Sequence, residues 1–351
     1  MKCAEGVSLP QVTVTGRLST DLAAAPATDT QIRHPRRMDY LTHLVYHHGF
    51  ALRPNLLDAG YTDQQLGSGV RHGYLHRIRP GAYTLTSYWR GLTPEKQHLL
   101  TAHAVVAQTP GTVALSHQTA MLAHGASLWG APLDQVHVTR LDGGSPRKEA
   151  GVVHHVSTLD DSDLVHVGEH IVVTPARAAI EAASLVGVEA GLVGADSVLN
   201  LKLATPDELW QTYDSMSRWP QMRHVNLVVR LADPGAQSVG ESRSRFLCYR
   251  FHLPRPELQY PVYDGDVLVG ISDMVWHGCR LLGEFDGRVK YGRLLKPGES
   301  ASDVVFQEKR REDRMREITS YGMFRFVWHD VDQEPARAAE RLRRALFGRA
   351  A

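Results

Sequence analysis

Three carboxylates in the C-terminal third of the sequence are spaced so that together they could hold a divalent cation. The run Leu268-Val-Gly-Ile-Ser-Asp-Met-Val-Trp276 and the run Arg280-Leu-Leu-Gly-Glu-Phe-Asp286 flank His277-Gly278-Cys279, two β-rich stretches around a short turn. A hairpin centred near Gly278 puts Asp273 almost directly across from Glu284. Side chains alternate along a strand with period two, so Glu284 and Asp286 share one face. Like charges opposed across strands destabilise a sheet, and a partly buried trio calls for a cation or for raised pKa values. Hard oxygen ligands at this density suit Mg²⁺ or Mn²⁺. A strand continuing past Gly287 projects Lys290 from the same side, where an ammonium can steady a phosphate or a hydroxide nucleophile. A bound cation of this kind polarises a phosphodiester and acidifies a water, and Lys290 would stabilise the charge that develops.

Helices must flank such a hairpin. Glu241 opens one over 241–251, whose Phe246 and Leu247 pack on the sheet. A second, from Glu308 to Tyr321, has Met315, Ile318 and Tyr321 as its apolar positions and a strand, Phe324–Trp328, after it. Lys309, Arg310, Arg311 and Arg314 lie on its other faces, where they would hold a phosphate backbone in salt-dependent, sequence-poor fashion. The expected order over 239–351 is α-β-β-β-α-β, ending in an Arg-rich helix over 335–347.

This constellation resembles the PD-(D/E)XK superfamily, most closely its branch near the very-short-patch repair endonucleases. The resemblance implies a restriction-endonuclease-like fold and DNA endonuclease activity dependent on Mg²⁺ or Mn²⁺. It makes Asp273 the central aspartate and places Glu284-Phe-Asp286 at the E-x-K position. Glu241 matches the helix glutamate that completes the metal site, so Asp273, Glu284, Asp286 and Glu241 are the implied ligands. The sequence departs from the pattern at Asp286, where a lysine is usual; Lys290 or Lys309 is then left to supply the charge.

A second constellation lies near the other end, over 38–90. Met38, Leu41, Leu44, Val45 and His48 mark a helix, a short one follows from Arg53 to Ala59, and Thr62 with Gln65 forms a capping box for a third. Two alternating strands around the turn Arg79-Pro80-Gly81 complete a winged helix-turn-helix. The third helix offers Gln64, Ser68, Arg71 and His72 to base edges, and the hairpin offers Arg77 and Arg79 to phosphates or the minor groove, so double-stranded DNA is the expected partner.

Residues 91–232 read as a mixed α/β domain, closed by the linker signal Asp233-Pro-Gly-Ala236. Ser116 and His117 are neighbours on a helix with no carboxylate placed to orient the histidine, so catalysis is not expected there. His154-His155 lacks a spaced third ligand, and no metal is expected on it either. The segments Arg77–Tyr83, Ala114–Ala120 and Val173–Arg177 resemble the AbiEi-type antitoxin family of type IV toxin–antitoxin systems. That likeness implies an autorepressor with an N-terminal winged helix, a following α/β antitoxin domain and a cognate toxin as partner.

The remaining features set bounds. A chain of 351 residues exceeds one core and points to several domains, an α/β multidomain protein by its patterns. Residues 1–37 read as a disordered leader, and Met38 is an alternative to Met1 as the start of translation. No run of about 20 apolar residues occurs, and three dispersed cysteines suit a reducing cytoplasm. A net charge of +1 leaves nucleic-acid binding to local basic patches. Three functions follow: a DNA-binding, metal-dependent endonuclease, an antitoxin-type transcriptional autorepressor whose nuclease-like domain is inert, or a protein-neutralising antitoxin in which DNA binding is incidental.

Overall fold

The computed structural model describes residues 35–109, 112–287 and 301–348. Lys290 and the expected leader as far as residue 34 lie outside the described residues. Among the described residues the chain is a mixed α/β protein with fourteen α-helices and three sheets. No described helix is long and apolar enough to cross a membrane. The chain gathers into two compact units, with the main division between Ala182 and Ala183 and with Ser127–Trp129 also in the second unit.

The first unit begins with α1 (Pro35–His48), β1 (Ala51–Leu52), α2 (Arg53–Asp58), α3 (Asp63–Arg71), β2 (Leu75–Arg79) and β3 (Ala82–Leu85). The first helix thus starts three residues before Met38. Leu41, Val45, Leu56, Leu66 and Leu75 are buried together, the apolar faces that the helical and strand periods require. The Thr62 hydroxyl accepts from the Gln65 amide at 3.2 Å and the Gln65 side chain accepts from the Thr62 amide at 2.9 Å, which fixes the start of α3. The three short strands pair in the order β1-β3-β2.

The same unit continues through α4 (Thr86–Arg90) and α5 (Pro94–Gln108) into β4 (Val113–Leu115), α6 (His117–Ala123), β5 (Val136–Arg140), β6 (Arg147–Glu149) and β7 (Val152–His155). It closes with β8 (Leu164–Val167), β9 (His170–Val173) and the greater part of α7 (Pro175–Leu185), whose end from Ala183 belongs to the second unit. These strands form one mixed sheet in the order β6-β7-β5-β4-β9-β8. Its centre is parallel between β5 and β7 and antiparallel between β4 and β5.

The second unit opens with three helices, α8 (Val188–Asn200), α9 (Pro206–Met216) and α10 (Met222–Leu231), which fall within the middle region expected over 91–232. Then come α11 (Val239–Arg250), β10 (Glu257–Asp264), β11 (Val267–Trp276), β12 (Leu281–Asp286), α12 (Ala301–Thr319), β13 (Gly322–Val327), α13 (Trp328–Asp332) and α14 (Pro335–Phe347). The four strands run β10-β11-β12-β13, antiparallel except for the last pair. One face of the sheet, with Met274, Trp276, Leu281 and Phe326, packs on α11 and α14 through Leu247 and Leu342. The other face, with Val275 and Leu282, packs on α12 through Met315. The start of α11 lies so close to β12 that a Cβ on Gly240 would stand 2.1 Å from the Phe285 ring.

Buried ion pairs tie the opening helices to α11. Arg245 donates to Asp196 at 2.7 Å and to the Leu231 carbonyl at 2.5 Å, and Asp196 also accepts from the Asp233 amide at 2.8 Å. Burial pushes the Asp196 carboxyl up to about 6, while Arg245 pulls it down. The Asp233–Ala236 turn is therefore stitched into this unit. Arg243 likewise reaches Glu189 at 2.7 Å and lies over the Trp129 ring. Removing one partner of a buried pair strands the other charge. Asp196→Ala should accordingly cost about 3–5 kcal/mol in urea unfolding; a loss under about 1 kcal/mol, the size of an exposed pair, would refute that role.

Candidate functional site

The carboxylate cluster stands where two strands part. Strands β11 and β12 pair at Trp276–Leu281, Val275–Leu282 and Met274–Gly283, and no further. The next positions in that register are Asp273 and Glu284, facing each other as the sequence spacing required. Beyond the last pair, the Phe285 amide donates to Oδ2 of Asp273 at 2.8 Å, so a side chain takes over from the backbone ladder. Ser272 Oγ lies 3.1 Å from the Gly283 carbonyl at the same opening. On its other edge β12 stays paired with β13 as far as Asp286 and Val327, which keeps Glu284 and Asp286 on a regular strand.

Alternation puts Asp273, Glu284 and Asp286 on the α12 face, with Val275 and Leu282. Glu284 is the most perturbed of them. Burial and the Asp273 carboxylate, with Glu308 and Glu312 behind it, push its carboxyl up to about 8, and only Arg311 opposes them. Its buried Oε1 has no hydrogen-bond partner among the described residues. An orphaned oxygen beside a second carboxylate is the environment a hard cation relieves. Asp273 and Glu284 are close enough to act on each other and could share a cation, whereas Asp286 does not join them in a group of three ligand atoms among the described residues.

The other expected participants sit differently. Glu241 is buried at the start of α11, where its oxygens take hydrogen bonds from Ser238 Oγ at 2.7 Å, the Gln237 amide at 2.9 Å and Gln259 Nε2 at 3.1 Å. Ser238 caps the helix by accepting from the Glu241 amide, and the Glu241 carboxylate braces that cap and reaches β10. Asp286 is 3.9 Å from Arg325, which also pairs with Glu312. On α12, Arg314 pairs with Glu317 and Asp264, and Arg311 bonds Glu308 at 3.3 Å. Lys309 and Arg310 are exposed. The cation facing Glu284 is thus Arg311, which sequence reasoning had assigned to the phosphate backbone.

In the first unit, Gln64, Arg71, His72 and Arg77 are exposed and Ser68 is half-buried, with its Oγ 3.2 Å from His72 Nδ1. Asp63, on the same helix, is held by Arg53 through two hydrogen bonds of 2.7 and 2.5 Å. The hairpin tip differs from a free wing. Gln108 of α5 donates to the Pro80 carbonyl at 2.9 Å, and Ile78 and Ala82 pack on Leu100 and Ala104. Arg79 is half-buried with this tip, and burial lowers its pKa.

One group escaped the sequence reading. His117, His137 and His155 each bring a ring nitrogen within 4.8 Å of the others. Glu181, 64 residues from His117, accepts its backbone N–H at 3.2 Å and lies 3.4 Å from its Nδ1. The expectations that no carboxylate is placed to orient His117, and that His154-His155 lacks a spaced third ligand candidate, are corrected by these contacts. The partners come from β5, β7, α6 and α7, a proximity that local spacing does not display. Strands β5 and β7 pair His137 with Val153 and Thr139 with His155, so both histidines share a face. Burial, then the neighbouring imidazoles, hold His117 well below its usual pKa and His137 at about 3.

No family model matches the chain. Proteins from two strains of Mycobacterium tuberculosis, both described as uncharacterized, are 25% identical to it over 287 residues. The similarity covers 81% of this chain and 97% of each relative.

The Glu284 carboxyl keeps its proton in the fold up to about pH 8, whereas the unfolded chain releases it near 4.5. Its contribution to stability is therefore present below about 4.5 and lost as pH rises towards 8. Without metal, Glu284→Gln should unfold at a higher temperature than wild type at pH 8 and with little difference at pH 5. Melting curves that stay parallel across this range would contradict the assigned environment.

Proposed function

We propose that this chain binds double-stranded DNA through a winged helix-turn-helix in its first unit. In this reading the second unit is a PD-(D/E)XK-type DNA phosphodiesterase that uses Mg²⁺ or Mn²⁺. The observation that carries it is the buried Oε1 of Glu284, without a hydrogen-bond partner among the described residues, beside Asp273 at the point where β11 and β12 separate. Asp273 and Glu284 would hold the ion, which supplies polarisation of the scissile phosphate and an acidified water. Arg311 would balance the carboxylates and meet the phosphate. Gln64, Arg71 and Arg77 would make the groove and backbone contacts.

A second reading is an antitoxin-type autorepressor with an inert nuclease-like platform and a toxin protein as partner. It is favoured by Glu241, whose oxygens are already engaged by Gln237 and Ser238, and by an aspartate where the superfamily has lysine.

Supercoiled plasmid incubated with the full-length protein and Mg²⁺ or Mn²⁺ should be nicked by wild type and not by Asp273→Ala. Wild-type protein that shifts duplex DNA yet nicks under neither metal would establish the second reading over the first. For the DNA contact, Arg71→Ala should weaken binding to a duplex from upstream of the protein's own gene by about 1–3 kcal/mol. Unchanged affinity in a salt-controlled fluorescence titration would remove Arg71 from the interface.

A further inference from the structure

The histidine cluster of the first unit has a donor chemistry opposite to that of the carboxylates. Imidazole nitrogen suits Zn²⁺ and its late first-row neighbours, whereas Mg²⁺ takes oxygen. His117 heads α6 at φ +52°, a left-handed conformation that a side chain adopts only under constraint from its surroundings. Its Nδ1 is turned to Ser116 Oγ at 3.0 Å and to Glu181, which leaves Nε2 as its ligand atom. Glu181 is in turn fixed by Arg177 at 2.9 Å. A carboxylate on the far nitrogen of a histidine orients the ring and raises its donor strength, as at many zinc centres.

The other two rings show how they would open. His137 Nδ1 and His155 Nε2 are 2.8 Å apart, a contact that needs a proton between them. Two nitrogens on one tetrahedral Zn²⁺ stand about 3.3 Å apart, so an ion replacing that proton widens the pair by about half an ångström. His137 must then carry its proton on Nε2, which faces the Gln118 amide at 3.0 Å. Gln118 is 3% exposed, and its Oε1 has no hydrogen-bond partner among the described residues. Turning that amide over presents Oε1 to the new N–H; which end of an amide faces a neighbour is an assignment that this exchange reverses. With His137 protonated on Nε2 the buried oxygen gains a donor, an exchange that sets aside the amide's 3.4 Å bond to the Pro132 carbonyl.

We propose that His117, His137 and His155 bind one late first-row transition-metal dication, Zn²⁺ foremost, with Glu181 positioning His117. The fourth position is left to water, and the ion joins α6 to β5 and β7. Ser116 and Glu181 both address the same nitrogen of His117, so the trio is not arranged as a nucleophile, base and orienting acid.

The test uses the full chain stripped with a chelator and titrated with Co²⁺, whose visible bands report coordination, followed by competition with Zn²⁺. With excess Mg²⁺ present to fill any carboxylate site, wild type should take up one equivalent with a tetrahedral or five-coordinate spectrum, displaced by Zn²⁺. His155→Gln, at the half-buried ligand, should lose at least about tenfold in Zn²⁺ affinity with an unchanged far-ultraviolet spectrum. X-ray absorption of the Zn²⁺-loaded wild type, which needs no variant, should show an imidazole-rich shell at about 2.0–2.1 Å. No uptake by wild type, undiminished binding by a folded His155→Gln, or a shell of carboxylate oxygen or sulfur would each overturn the proposal. None of these results depends on nuclease activity.

Discussion

Beyond Met274 and Gly283 the strands β11 and β12 no longer exchange backbone hydrogen bonds, and the Phe285 amide takes Asp273 as its acceptor. That single substitution of a side chain for a carbonyl organises the second unit. It holds Asp273 in place, lets β12 continue on β13 alone, and leaves Glu284 facing a charge of its own sign in a poorly hydrated spot. Hydrophobic packing on both faces of the sheet secures the strands up to the opening, and the polar chemistry begins where that packing stops.

The parts of this arrangement that rest on neighbours in sequence were legible in advance. The turn about Gly278, the opposition of Asp273 and Glu284 and the Thr62–Gln65 capping box follow from period and spacing alone. Partnerships made across the fold were not. Arg311 reads as one more cation in a basic run, and only α12 lying over the sheet sets it against Glu284. Glu241 reads as a metal ligand by its resemblance, and Ser238 and Gln259 show its oxygens engaged in hydrogen bonds at the helix start. The histidines at 117, 137 and 155 look scattered because a mixed sheet brings together residues far apart in the chain. Charge patterning says which residues are available, and topology decides whom they meet.

Each unit also relies on arginines drawn fully inside. Arg177, Arg243 and Arg245 are buried, and each reaches carboxylates or carbonyls on more than one element. A planar guanidinium with several donors can bond in several directions at once, which a lysine cannot do. Such braces suit helices whose apolar stripes are modest, and α11 is one: its buried residues include Ser242, Arg243, Ser244 and Arg245.

The close seating of Gly240 on the Phe285 ring carries a different kind of consequence. No β-carbon fits at 240 unless the ring at 285 shrinks or swings away, so the two positions form a lock. In any lineage of this fold, change at one should be accompanied by change at the other. Their joint variation would be the genetic trace of a contact that brings a helix start within reach of the carboxylate strand.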